Sequence, residues 1–183
     1  MDATKVVEQT RRWIDTIVIG LNLCPFAGRV FAGDLIRYTV TDAKDEATLL
    51  NVLADELQAL AALPIAKVET TLLIHPNALL DFLDYNDFLG DAERHVDNLG
   101  LTRTIQIASF HPGYQFAGTR PDSVENYTNR SPYPMLHLLR EESISAIADD
   151  PDELAEIPRR NIATLRELGG DHLRSMLGRS PKD

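Results

Sequence analysis

Three short runs rich in β-branched and aromatic residues, each parted from the next by a helical stretch, constrain this chain most. They are 35–41 (LIRYTVT), 67–74 (KVETTLLI) and 103–110 (RTIQIASF), and each reads as a strand. Between the first two, 43–62 carries Leu49, Leu50, Leu53, Leu57 and Leu60 at helical spacing, with Pro64 just past its end. Between the second and third, a helix is expected from Asn77 as N-cap to about 98, closed by Gly100. Strands joined by helical connections of this length favour parallel pairing. The fold class is therefore α/β: a small, mostly parallel sheet of three to five strands flanked by helices, with a helical C-terminus. A ferredoxin-like arrangement is the alternative and needs a further strand near Tyr114–Ala117.

Outside this frame, 3–21 reads as a helix striped by Val7, Ile14, Val18 and Leu21, and 22–33 as an irregular connector. Helices are expected over 135–147 and over 158–168, the latter opening on Pro158, with a short last turn after Gly169 and Gly170. The length suits one α/β domain over 1–183, with 152–183 as a helical appendage.

Two of the strands leave through the same dipeptide, Ile74 into His75-Pro76 and Phe110 into His111-Pro112. On adjacent parallel strands both histidines would reach the carboxyl edge of the sheet, where ligands bind in open α/β folds. The simpler reading is that His-Pro ends a strand, since proline holds the residue before it extended. After His111 comes a polar loop to Pro134, long for a compact domain and hence a candidate site. Its Tyr114, Phe116, Tyr127 and Tyr133, with its prolines, oppose disorder. Asn126, Tyr127, Asn129, Arg130 and Ser131, with Gln115 and Thr119, offer a dense set of donors and acceptors to a substrate. A self-satisfied Ω-loop is the alternative.

Charge separates this region from the rest. Residues 101–140 hold Arg103, Arg120, Arg130 and Arg140 against Asp122 and Glu125, a net +2, whereas the remainder has a net charge of −12. Arginine forks bind carboxylates and phosphates, so a small anionic molecule is the expected partner; pairing with the protein's own carboxylates is the other use of these arginines. His137 precedes Arg140 by three residues and is either a catalytic or a structural histidine. Cys24, before Pro25, is either a small buried residue or a reactive thiol. The total charge of −10 argues against a general nucleic-acid binder and against docking on anionic membranes. No apolar run is long enough to span a bilayer and the N-terminus lacks an apolar signal core, which points to the cytoplasm. Cys24 is the single cysteine, so no intrachain disulfide forms. No phosphate loop, dinucleotide fingerprint, CxxC or HExxH is present.

Four stretches carry a family resemblance: GLNLCPFA (20–27), ETTLLIHP (69–76), QIASFHPGYQFAGT (106–119) and NYTNRSPYPMLHLLRE (126–141). Together they resemble a bacterial and plant family, domain of unknown function family 1415, over nearly the whole chain. The resemblance implies a one-domain protein of this length and brings no reaction.

The residues thus point to an enzyme acting on a small anionic metabolite. Arg130, Asn126 and Asn129, helped by Arg140, would bind it; His111 would be the acid or base, with His75, Cys24 and His137 as further catalytic candidates. Two chemistries stay open: Cys24 as a nucleophile activated by histidine, or a divalent transition metal held by Cys24, His75 and His111. A non-catalytic metabolite-binding or regulatory module is the first alternative and a protein–protein adaptor the second. Substrate and oligomeric state are not legible in the residues.

Overall fold

The computed structural model describes residues 2–145 and 151–178; the expected appendage's residues 179–183 lie outside them. At its centre is a four-stranded sheet in the order β1-β2-β4-β3, formed by β1 Ile36–Val40, β2 Thr70–Ile74, β3 Ile105–Phe110 and β4 Met135–Arg140. β1 and β2 pair in parallel, Ile36 opposite Thr70 and Val40 opposite Ile74. β4 runs antiparallel to β2 and to β3, so that His137 faces Leu72 on one side and Ala108 on the other. β1, β2 and β3 point the same way, as helical crossovers demand, yet two of the three pairings are antiparallel because β4 lies between β2 and β3.

That strand corrects two expectations. Residues 135–140 are not helical; a short helix, α5 Glu141–Ser145, begins only after them, and 146–147 lie outside the described residues. The additional strand comes from 135–140 and not from Tyr114–Ala117, which forms none. The cause is burial on both faces. Met135, Leu136 and Leu138 are fully buried, and a central strand of that kind gives a continuous apolar run that lacks the alternation of a half-exposed one.

One face of the sheet is covered by α3 Glu46–Ala62 and α4 Phe82–Asn98, whose Leu49, Leu53, Leu57 and Phe88 pack on Leu73, Leu136 and Leu138. α4 starts four residues later than Asn77 as N-cap predicts. Asp81 is its N-cap, accepting from the Leu83 N–H at 2.8 Å. The turn before it holds Leu79 at a φ of 53°. Asn22 and Asp34 share that left-handed region and tolerate it through short polar side chains. For a leucine it stores strain of about 1–3 kcal/mol.

The other face is covered by α1 Ala3–Trp13, a π-helical segment Ile14–Ile19, α2 Ala27–Ala32, and the C-terminal helices α6 Pro151–Leu168 and α7 Gly170–Met176. Here Val6, Ile17, Leu72, Met135, Leu165 and Leu173 form a second core. The C-terminal helices thus take part in this packing through Leu165 and Leu173. Asn161 also donates to Leu23 O at 2.8 Å, and Arg166 pairs with Glu125 at 2.6 Å. α6 opens on Pro151 and runs on through Pro158, which the sequence places at its start. The connector at 22–33 contains α2.

The π segment follows from Gly20. The Gly20 N–H donates to Asp15 O at 3.0 Å and the Leu23 N–H to Val18 O at 2.9 Å, both across five residues. A Cβ on Gly20 would lie 2.4 Å from Thr16 O. Only glycine lets the wide turn close there, and such turns recur at functional sites.

Candidate functional site

The two His-Pro dipeptides do reach one edge of the sheet, but not on adjacent strands, because β4 separates β2 from β3. Tyr85 of α4 joins them. Its ring stacks on His75 at 5.8 Å between centroids and meets His111 at 5.0 Å. Its hydroxyl accepts from the Phe110 N–H at 3.0 Å and donates to Met135 O at 2.8 Å, bridging β3 and β4 where they part. Burial raises the Tyr85 pKa. Both histidines are buried and face backbone. His75 Nδ1 bonds Ala78 O at 3.0 Å. His111 accepts the Gly113 N–H at Nδ1 (2.9 Å) and places Nε2 3.1 Å from Leu79 O. That pattern fixes His111 as the Nε2–H tautomer. Burial brings the His75 pKa down to about 4, opposed by its bond to Ala78 and aided by nearby His111.

The loop's polar residues are likewise turned on the loop. Asn126 is fully buried. Its Oδ1 accepts from the Phe116 N–H at 3.0 Å and lies 2.8 Å from the Thr119 hydroxyl, and its Nδ2 donates to Arg120 O. Asn129 donates to Ser109 O at 3.0 Å, tying the loop to β3. Ser131 donates to Tyr133 O and Gln115 to Thr119 O, both at 2.6 Å. Arg130 donates to Tyr114 O and Pro121 O and sits 4.7 Å over the ring of Tyr127. Arg140 is buried, its guanidinium donating to Leu60 O and Leu63 O at 2.6 Å each. It closes the C-terminal end of α3, where free carbonyls carry partial negative charge. These are the contacts of an internally satisfied loop.

Cys24 and His137 are brought together elsewhere, on the second face of the sheet. A cavity of about 300 Å³ lies between the sheet and the π segment, and its surface is almost wholly apolar. Ile36, Leu72, Leu139, Ala108 and Phe110 form the floor; Trp13, Ile14, Val18, Phe26 and Val30 form the roof. Set among them are Cys24, Glu69, Thr70, His137, Arg140 and Ser143. The Thr70 hydroxyl donates to Leu138 O at 2.6 Å and lies 2.7 Å from His137 Nε2. Its single proton is thus spent on the carbonyl, His137 carries its own on Nε2, and Nδ1 is the ring nitrogen left for a ligand. Burial lowers the His137 pKa to about 4, so the ring is uncharged at neutral pH. The buried Glu69 carboxylate is paired with Arg29. Trp13 is 6% exposed, and its indole N–H finds no acceptor among the described residues; nor does the Ser143 hydroxyl find a partner.

Cys24 and His137 are therefore separated by the sheet from His75 and His111, which lie on the α4 side. Among the described residues no three His, Cys, Asp or Glu side chains are grouped to hold a metal ion. The reading of the sequence missed Trp13, Glu69 and Thr70. A signal was there: Glu69 and Thr70 open a strand that is otherwise apolar, and polar groups at the start of a buried strand need partners. Among the described residues no helix is long and apolar enough to cross a membrane.

Fold and cavity together define an α/β protein whose mixed four-stranded sheet carries an apolar chamber beneath a π-helical turn. The chain belongs to the family described as Protein of unknown function (DUF1415), whose model matches residues 5–175. Neither the curated proteins nor the solved structures give a match. All four stretches that carry the resemblance reach the chamber, through Cys24, Thr70, Ala108 and His137.

Proposed function

We propose that the protein binds a small, uncharged, largely apolar molecule in the chamber between the π segment and the sheet. The observation that carries this reading is the chamber itself, about 300 Å³ of apolar space holding a few polar groups. That is the low end of the size range of small-molecule pockets. The polar groups specify the ligand. Trp13 offers an N–H, His137 a lone pair at Nδ1, and Ser143 a hydroxyl; none brings a net charge. An alcohol or carbonyl on an aromatic or aliphatic body would satisfy them. The small anion that the arginines suggest is disfavoured here, because Arg29 faces Glu69 and Arg140 faces the end of α3. The lone free thiol suits a reducing compartment such as the cytoplasm.

Benzyl alcohol and benzoate, matched in size, test the reading by calorimetry at pH 7. Burying a carboxylate among apolar groups costs several kcal/mol, so the alcohol should bind more than ~10-fold tighter. Ala108→Phe, which fills the floor, should abolish binding and leave the thermal midpoint equal or higher. Equal affinity for the two compounds, or unchanged binding in Ala108→Phe, would refute the proposal.

Catalysis at this site is the second reading, favoured by Cys24 and a neutral His137 on one chamber, the types that make a nucleophile and its base. The apolar alkylator 2-bromoacetophenone should then modify Cys24 faster than iodoacetate does, and benzyl alcohol should protect. Slower modification by the apolar reagent would leave Cys24 as a packing residue.

A further inference from the structure

Among the described residues, four large apolar side chains stand exposed, and three of them gather around the start of α4. Leu80 is 65% exposed, Leu83 70% and Phe116 37%. Phe82, between the two leucines in the chain, has its ring 5.1 Å from Tyr114, whose ring is 5.0 Å from Phe116. Exposed apolar side chains thus stand both at the start of α4 and on the long loop, and the Phe82 and Tyr114 rings link the two segments.

The backbone beneath this surface is held against its own preference. Leu79 is in the left-handed region, which a leucine adopts only under strain. The two buried histidines oppose that strain, His75 at Ala78 O and His111 at Leu79 O. A turn serving only to join β2 to α4 would be met by glycine or asparagine at 79 and a polar residue at 80. Instead the fold holds an outward leucine on a fixed base. Strain of this kind, kept in place by surrounding structure, accompanies recognition surfaces.

The charge beside it chooses the partner. A groove next to Leu80, between the starts of α3 and α4, is lined by Asp45, Glu46, Asp81 and Asp84 against one lysine, Lys44. We propose that this surface docks a partner protein through a cationic, leucine-rich segment. Its apolar side chains would cover Leu80, Leu83 and Phe116, and its Lys or Arg residues would face the carboxylates. A second copy of the chain is the wrong occupant, since it would set like charges against each other. The site is independent of the chamber, which lies across the sheet.

The test uses the full chain and two dye-labelled amphipathic helical peptides, one of Leu and Lys and one of Leu and Glu, followed by anisotropy at physiological salt. Leu80→Ser/Leu83→Ser removes the apolar contact and keeps every charge. The lysine peptide should bind the unaltered chain at least ~10-fold tighter than it binds the double variant, and at least ~10-fold tighter than the glutamate peptide binds. Both leucines are exposed, so the variant's thermal midpoint should not fall; Leu83→Ser alone serves as a milder check. Equal binding of the lysine peptide to both proteins would mean attraction by net charge alone and overturn the proposal. So would a dimer in sedimentation velocity that the double variant loses, which would assign the surface to a second copy. Binding to phosphatidylcholine vesicles that the variant loses would overturn it in favour of a lipid surface.

Discussion

His75 and His137 are the histidines whose chemistry the fold changes most. Each has its pKa brought from the ordinary histidine value of 6.5 to about 4, chiefly by burial. The sign of the consequence is fixed. Between those values the unfolded chain takes up a proton that the folded chain refuses, so acid favours unfolding. Their contribution is complete above about pH 6.5 and lost as the pH falls toward 4, at up to ~1.4 kcal/mol per pH unit for each proton. Urea unfolding at pH 7, 6 and 5 should therefore show stability dropping at each step. In His137→Gln, which keeps a hydrogen-bonding group toward Thr70, that slope should become shallower by about one proton. An unaltered slope would mean that His137 titrates normally and is not sealed in the chamber. The same histidine shows why a residue's type was legible and its setting was not. His137 and Cys24 stand out by chemistry alone, yet only the pairing of β4 between β2 and β3 carries them to one wall.

At the scale of elements, Gly20 and the π segment give the sharpest expectation. Gly20→Ala sets a Cβ against Thr16 O, 2.4 Å from its ideal position, and a backbone carbonyl cannot step aside as a side-chain tip does. The wide turn should tighten toward an α-helix, moving Trp13, Ile14 and Val18, which roof the chamber. The expected cost is about 1–3 kcal/mol in unfolding free energy, as for other strained or overpacked sites, together with loss of benzyl alcohol binding. A variant as stable as the parent and with binding unchanged would show that the turn does not shape the chamber. Elements with a strong period were readable: β1, β2, β3, α3 and the body of α4 fall where leucine spacing and β-branched runs put them. β4 was not, because MLHLLR is buried on both faces and so carries no strand alternation. Nor was the π segment, since one extra residue per turn leaves the stripe of Ile14, Val18 and Leu21 looking helical. The long loop was read as ordered, and its polar side chains bond to nearby backbone. Its asparagines and Arg130 were read as ligand groups, because a residue list cannot tell a donor aimed at solvent from one aimed at its own backbone.

For the whole molecule, the sheet carries two cores that share no helix. Leu57 of α3 and Leu165 of α6 are both fully buried, one on each face. If the faces were independent, α6 and α7 could detach and leave the sheet standing on α3 and α4. Three features argue for one cooperative unit. β2 and β4 supply residues to both cores from a single backbone. Asn161 and Arg166 tie α6 to the connector at Leu23 and to the loop at Glu125. Tyr127, on the loop, is buried in the same core as Leu165. Removing either leucine side chain should then destabilise the same transition. Leu57→Ala and Leu165→Ala should each cost about 2–5 kcal/mol, a large share of the total stability of a chain this size. Each should shift one urea midpoint, read identically by far-ultraviolet circular dichroism and by the fluorescence of Trp13, which reports on the second core alone. Two transitions in Leu165→Ala, with Trp13 fluorescence changing before the helical signal, would show that the C-terminal helices unfold separately, as the appendage expected from the sequence would. Coincident curves in both variants would make the chamber's roof and floor parts of one folding unit, so that a ligand bound between them stabilises the entire chain by an amount that grows with the logarithm of its affinity.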